Sequence, residues 1–336
     1  MNARGVTLIE LMIALALGAI VSLGAVQLFD ASQRSASLGE GQARLQENGR
    51  FALAFLREAV RGAGLAPCSG LTPTLRSTLR GSTGDAPPPR FALSAGLSGY
   101  DGGRQGFAPS LTGNDLGLDA DKLRAGSDVL VVRGFQGEGL RLVSDMPQPS
   151  AVLFTETPAS PALFASGAVL LISDCRRGTI FQIQGAGTTG QGFRLTRTQG
   201  ANPSPGNFTT DLYFDGSPFA AGAIIQAVSV RSFFIAPGVG ENNRGDAPPT
   251  LYQKGAGVAE ALVEGVEDLQ LRFAVDQDGD GVPEQYLSAG SVADFATVRA
   301  VELSVLATSV DAVSDQGDGI LRQRFSQVIA LRNRAP

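Results

Sequence analysis

Residues 6–29 form a 24-residue run with one charged side chain, Glu10, and one other strongly polar one, Gln27. At about 1.5 Å per residue, a helix of that length crosses a hydrocarbon core of about 30 Å. No other feature of the 336-residue chain restricts its fold so strictly. A secretory signal peptide would have an apolar core of about 7–15 residues followed by a small-residue cleavage site. This run is longer, and it stays compatible with a helix past Ala19, Ala25 and Ala31. A plain membrane anchor accounts for the length but not for Glu10. A carboxylate at the centre of a bilayer helix costs on the order of 2.5–3.5 kcal/mol, so an acid there points to function.

Five residues precede the run, and Arg4 carries their only side-chain charge. The stretch Arg4-Gly5-Val6-Thr7-Leu8-Ile9-Glu10-Leu11-Met12 resembles the processing motif of type IV prepilins and pseudopilins. The resemblance implies a leader, 1–5, cut between Gly5 and Val6 by a prepilin peptidase. It also implies methylation of the new amine on Val6 and retention of the helix, 6–29. Val6 stands where most members of that family have Phe, which bears on methylation. In a bundle of such helices there is no water, and a buried carboxylate needs a partner or neutralises. The partner implied for Glu10 is the free amine on Val6 of a neighbouring subunit.

Composition narrows the rest. Hydrophobic residues make up 43% and charged residues 18%, enough apolar material for a sizeable core. The net charge is −5 and there is no long basic run, which argues against a nucleic-acid surface. The chain has no His, so the commonest general base and the commonest metal ligand are missing. Neither Lys122 nor Lys254 lies in a nucleophile motif, and no Gly-rich phosphate loop stands between a strand and a helix. An enzyme is not expected. The basic leader stays in the cytoplasm, which places the remainder outside it. In an oxidising compartment Cys68 and Cys175 can bridge. Such a bridge would close a loop of roughly 100 residues and contribute at most about 4.7 kcal/mol. Two unpaired buried thiols are the alternative.

Residues 30–64 read as an amphipathic extension of the helix. Leu38, Leu45, Phe51, Leu53, Phe55, Leu56 and Val60 would form the stripe facing the globular part. Gly39, Gly41 and Gly49 each cost about 1 kcal/mol against Ala and mark an expected flexible or bent place. Gly62, Gly64 and Pro67 end the helix. Residues 65–126, rich in Gly, Pro, Ser and Thr, read as long surface loops with short ordered pieces. Pro87-Pro88-Pro89 can sit neither in a helix interior nor in a central strand.

A β-rich globular domain, 127–336, follows. Strands are expected at 128–133, 168–172, 179–183, 193–196, 224–235, 251–254, 269–275, 298–307 and 321–331. Residues 174–178 form a hairpin connection that carries Cys175. A helix followed by antiparallel strands is α+β. That is the pilin plan, a long helix with its second half laid on an antiparallel sheet. Three stretches resemble the larger minor pilins of the PilW type and the related minor pseudopilins called J of type II secretion. They are Gly126-Ser127-Asp128-Val129-Leu130-Val131-Val132-Arg133, then Ile172-Ser173-Asp174-Cys175. The third is Leu262-Val263-Glu264-Gly265-Val266-Glu267-Asp268-Leu269-Gln270-Leu271-Arg272-Phe273.

One compact ligand cluster is present, Asp276-Gln277-Asp278-Gly279-Asp280-Gly281-Val282-Pro283-Glu284. Asp at three alternate positions followed by Gly matches the opening of an EF-hand calcium loop. Asp276, Asp278, Asp280, the Val282 carbonyl and Glu284 are the candidate calcium ligands. The twelfth position is Leu287 rather than a bidentate Glu, so the loop is a half-site. An acidic β-turn is the alternative reading. The resemblance implies a type IV minor pilin that helps prime assembly at or near the pilus tip. Its partners would be other minor pilins, the major pilin and an inner-membrane assembly platform. The chain would be a single-pass inner-membrane protein before assembly and lie on the cell surface afterwards. A type II secretion pseudopilin and a membrane-anchored, calcium-dependent adhesin are the competing readings.

Overall fold

A computed structural model describes residues 8–64, 74–111, 116–146, 152–213, 216–314 and 316–332. One helix, α1, runs uninterrupted over Leu8–Arg61. Its first half is open on every side: the large apolar side chains between Leu8 and Phe29 are 55% to 75% exposed. Its second half buries a seam of Gly41, Leu45, Gly49, Ala52, Leu56, Ala59 and Val60, at the three- and four-residue steps of one helical face. The expected stripe is therefore corrected. Leu45, Leu56 and Val60 do face inward and Leu53 packs partly against the core, but Phe51 and Phe55 are 44% and 42% exposed on another face, and Leu38, 40% exposed, lies on the seam's face one turn before the buried part begins. The expected bend is corrected too. Gly41 and Gly49 lie inside a continuous helix because the globular part comes too close for a side chain. A Cβ on Gly41 would lie 2.9 Å from Val313, and one on Gly49 would lie 2.4 Å from the Phe325 ring.

Sixteen strands are described: β1 Thr74–Ser77, β2 Leu97–Gly103, β3 Gly106–Ala108, β4 Val129–Arg141, β5 Val152–Thr155, β6 Val169–Ser173, β7 Arg177–Gln182, β8 Gly185–Thr189, β9 Gly192–Thr196, β10 Ile224–Pro237, β11 Pro249–Lys254, β12 Ala259–Glu264, β13 Val266–Val275, β14 Gln285–Leu287, β15 Val298–Thr308 and β16 Arg322–Ala330. They form three sheets. The largest runs β1-β7-β6-β10-β4-β2-β3, with β11 and β12 attached beside β10. The second runs β14-β13-β15-β16 and the third β5-β9-β8. All pairings are antiparallel except β1 with β7. The α+β architecture expected from the sequence is the one observed.

The main core lies where α1, the four-stranded sheet and the centre of the large sheet meet. Ala52, Leu56, Ala59 and Val60 pack there with Leu271, Phe273, Val301, Leu303 and Ile329, and with Leu130, Val132 and Phe233. Each fully buried Leu, Val or Phe contributes about 1.5–3 kcal/mol by leaving water. Successive residues of a strand face opposite sides. Val129 and Val131 accordingly fill a separate cluster on the far face, with Phe234 and Tyr100. Both faces of the centre of the large sheet are buried, in line with the near-continuous apolar runs Val129–Val132 of β4 and Phe233–Ala236 of β10.

Residues 65–126 hold more order than expected: β1, β2 and β3 belong to the large sheet, and Leu79, Phe91 and Leu97 are buried. The polyproline stretch behaves as anticipated, with Pro89 opening a short 3-10 helix, Pro89–Phe91. Strand β4 continues past Gly134 to Arg141, and β5, β8, β12 and β14 had no clear signal in the sequence.

Two polar devices join the sheets. Asp128 Oδ1 accepts from Gly102 N at 2.9 Å, and its Oδ2 accepts from Leu271 N at 2.8 Å. Beside it, Ser127 Oγ accepts from Leu269 N at 3.0 Å. The second device is Gly265, with φ +71, where the chain leaves β12 in the large sheet and enters β13 in the four-stranded one. A Cβ there would lie 2.8 Å from Thr308 O. Two residues on, Glu267 accepts from Arg124 at 2.7 Å and from Arg322 at 2.6 Å.

Candidate functional site

The N-terminal site rests on α1. Gly5 and Val6 lie outside the described residues. Glu10 sits in the first helical turn, among exposed Leu8, Ile9, Leu11 and Met12. An apolar surface this extensive on a monomer marks an interface with lipid or protein. The helix is long and apolar enough to cross a membrane. It fits a single-pass anchor.

The acidic loop leaves β13 at Val275 and is closed by Glu284 N donating to Val275 O at 3.1 Å. Asp276 is buried. Its Oδ1 accepts from Gly279 N at 2.7 Å and its Oδ2 from Gly281 N at 3.0 Å. Gly279 and Gly281 have φ +81 and +93, values that side chains other than Gly rarely adopt. Asp278 accepts from Asp280 N at 3.1 Å, and Asp280 from Val282 N at 2.7 Å, each turning the chain two residues on. Glu284 accepts from Gln277 N at 2.7 Å. One oxygen from each of Asp276, Asp278, Asp280 and Glu284 lies within 4.8 Å of the others. The loop thus gathers the four predicted carboxylates and holds Val282 in the same turn. Leu287, in β14, packs against the main core.

An all-oxygen set of this kind suits a hard cation such as calcium rather than zinc. One residue absent from the sequence reading complicates the fit. Arg299, on β15, donates to Asp276 Oδ2 through Nε at 2.7 Å, and its Nη2 lies 2.5 Å from the same oxygen. Burial disfavours the charged form of Asp276, but Arg299 and the two glycine N–H groups outweigh it and hold the carboxyl below its usual range. Asp276 is therefore already compensated from within the chain. Asp278, Asp280 and Glu284 are the exposed acids left to a cation. Arg299 is 23 residues from Asp276 along the chain, and only the pairing of β13 with β15 brings them together.

Cys175 occupies the β6–β7 hairpin with φ +71, and its N–H donates to Ser173 Oγ at 3.1 Å. It is not a free thiol. Cys68 lies outside the described residues.

Comparison with known families matches residues 1–26 to the prokaryotic N-terminal methylation motif. Residues 238–319 match type IV pilus-assembly protein W. The chain is thus similar to prepilin-like proteins at its N-terminus and to a W-type pilus-assembly protein over one segment of its globular part. Comparisons with curated proteins and with solved structures found no match.

The segment similar to the W-type protein contains β11 to β15, the Gly265 crossing and the acidic loop. Its two ends are tied together. Asn243 N donates to Asp311 Oδ1 at 3.0 Å, and Ala312 N donates to Asn243 Oδ1 at 2.9 Å. Next to that tie, Val313 rests on Gly41 of α1. The matched segment thus forms part of the seat of the helix, which β16, beyond it, completes with Phe325 against Gly49.

Proposed function

We propose that the protein is a minor pilin of a type IV pilus, a structural subunit that helps prime assembly at or near the tip. The observation that carries this reading is the division of α1. One half buries a narrow seam against the globular part, and the other exposes an apolar surface whose single acid is Glu10. Cleavage between Gly5 and Val6 creates a new amine. Its methylation keeps the amine basic, and Glu10 of an adjacent subunit neutralises it. The pair sets the axial register of neighbouring helices. The globular part faces the periplasm before assembly and the cell surface afterwards. Other minor pilins and the major pilin contact the exposed half of α1, while the prepilin peptidase and the inner-membrane platform act on it earlier.

Two further sites belong to this reading. A Cys68–Cys175 bridge ties the segment after α1 to the β6–β7 hairpin. Calcium, held by Asp278, Asp280 and Glu284 with Asp276 shared with Arg299, stiffens the loop after β13. N-terminal sequencing of the protein from sheared surface filaments tests the main claim. It should begin at a methylated Val6. A chain that still begins at Met1 in the presence of active peptidase would sink the proposal. The same protein found with a secretion apparatus and absent from pili would favour a type II pseudopilin.

A further inference from the structure

Strand β10 is paired along one edge with β4. Along the other edge β6 covers Ile224 to Ala227, and β11 covers Ser232 to Pro237. Residues 228–231 between them have no strand on that side. Backbone groups of alternate residues in an antiparallel strand point to opposite edges. A Cβ built on Gly255, just past the end of β11, would have Val230 O as its nearest neighbour at 4.0 Å. Val230 is thus directed at the gap, and Val228 follows by alternation. No hydrogen bond fills their outer edge among the described residues.

The gap opens into a groove of about 1140 Å³, bordered by Glu58, Phe135, Gly167, Gly255 and Arg231. Arg231 lies 5.9 Å from the centre of the Phe233 ring and makes no hydrogen bond or close ion pair among the described residues. Burial lowers its pKa, and Glu58 acts on it only at longer range. A guanidinium has five donors in a fork that matches a carboxylate.

We propose that residues 228–231 form a strand-addition site for an extended segment of a partner polypeptide bearing an acidic side chain opposite Arg231. Unpaired backbone groups at strand spacing select a strand, and Arg231 selects its charge. The gap spans about 13 Å at ~3.3 Å per residue, room for about four residues. Because β6 and β11 close its two ends, a second sheet edge cannot pair there, and only a single inserted segment fits. The site is separate from the N-terminal motif, so it stands or falls independently of filament entry.

The test uses the full chain in detergent micelles and fluorescent peptides of alternating Val and Thr. One carries a central Asp, one a central Lys, and a third is the Asp peptide N-methylated on the amides that would face Val228 and Val230. The Asp peptide should bind at least about fivefold more tightly than the Lys peptide. N-methylation should abolish binding, and amide exchange should slow at residues 228–231. Arg231→Gln should remove the preference for Asp. The methylated peptide tests backbone pairing without altering the protein, so a poorly folding variant does not blunt the experiment. Equal binding of all three peptides, no binding at millimolar peptide, or protection confined to the outer edge of β16 would each overturn the proposal.

Discussion

Gly49 shows how a residue with poor helix propensity can be the one the fold requires. Ala is favoured over Gly by about 1 kcal/mol inside a helix. At Gly49 that gain meets the Phe325 ring at 2.4 Å, whereas nothing lies within 4 Å of a Cβ on Gly39. Overpacking costs about 1–3 kcal/mol. Gly49→Ala should therefore lower the melting temperature and Gly39→Ala should raise it slightly; equal shifts would refute the close-approach argument. Asp128 offers a second test. Burial pushes its carboxyl up to about 6, against the N–H groups of Gly102 and Leu271, which favour the charged form, and with Asp101 and Asp268 adding to the rise. A folded pKa above the unfolded one, about 3.9, gives stability that is complete below pH 4 and lost as pH rises through 6. The change is on the order of 3 kcal/mol at ~1.4 kcal/mol per pKa unit. Asp318 works in the opposite sense. Arg322 holds its carboxyl down at about 2, so its contribution is present above pH 4 and lost as pH falls through 2. Denaturant titrations between pH 4 and 7 should show the Asp128 slope, and Asp128→Asn should flatten it. The variant should also be less stable at pH 4, because its amide faces a backbone donor with another donor.

At the scale of elements, the acidic loop and β15 act as one unit. Arg299 supplies a fixed positive charge to Asp276, so the loop can close without a metal, while three exposed acids stay crowded. Calcium should raise the melting temperature of the full chain, and the double variant Asp278→Asn, Asp280→Asn should lose that rise. Arg299→Gln should be less stable without calcium and gain more from it, because Asp276 then depends on the added cation. A calcium response identical in all three proteins would place binding elsewhere. The loop was legible because its ligands are neighbours in sequence. Arg299 was not, since β13–β15 pairing is what makes them neighbours. The same holds for β12 and β14: their short segments have little apolar signal of their own and become strands by pairing with β11 and β13.

The whole molecule is a rod with a sheet-rich body seated on its second half. If Glu10 pairs with a neighbour's amine, Glu10→Ala should still insert in the membrane yet be missing from sheared filaments, as an immunoblot of both fractions would reveal. Normal incorporation would remove the register argument. The exposed apolar half of α1, its single acid, the α+β class and the Asp-rich turn were all written in the sequence, because each depends on residues close together along the chain. Which face of the helix is buried, why glycines line it, where the chain changes sheets and where β10 is left open were decided only in three dimensions. Those properties depend on how closely distant backbones approach, a distance that no local pattern of side chains encodes.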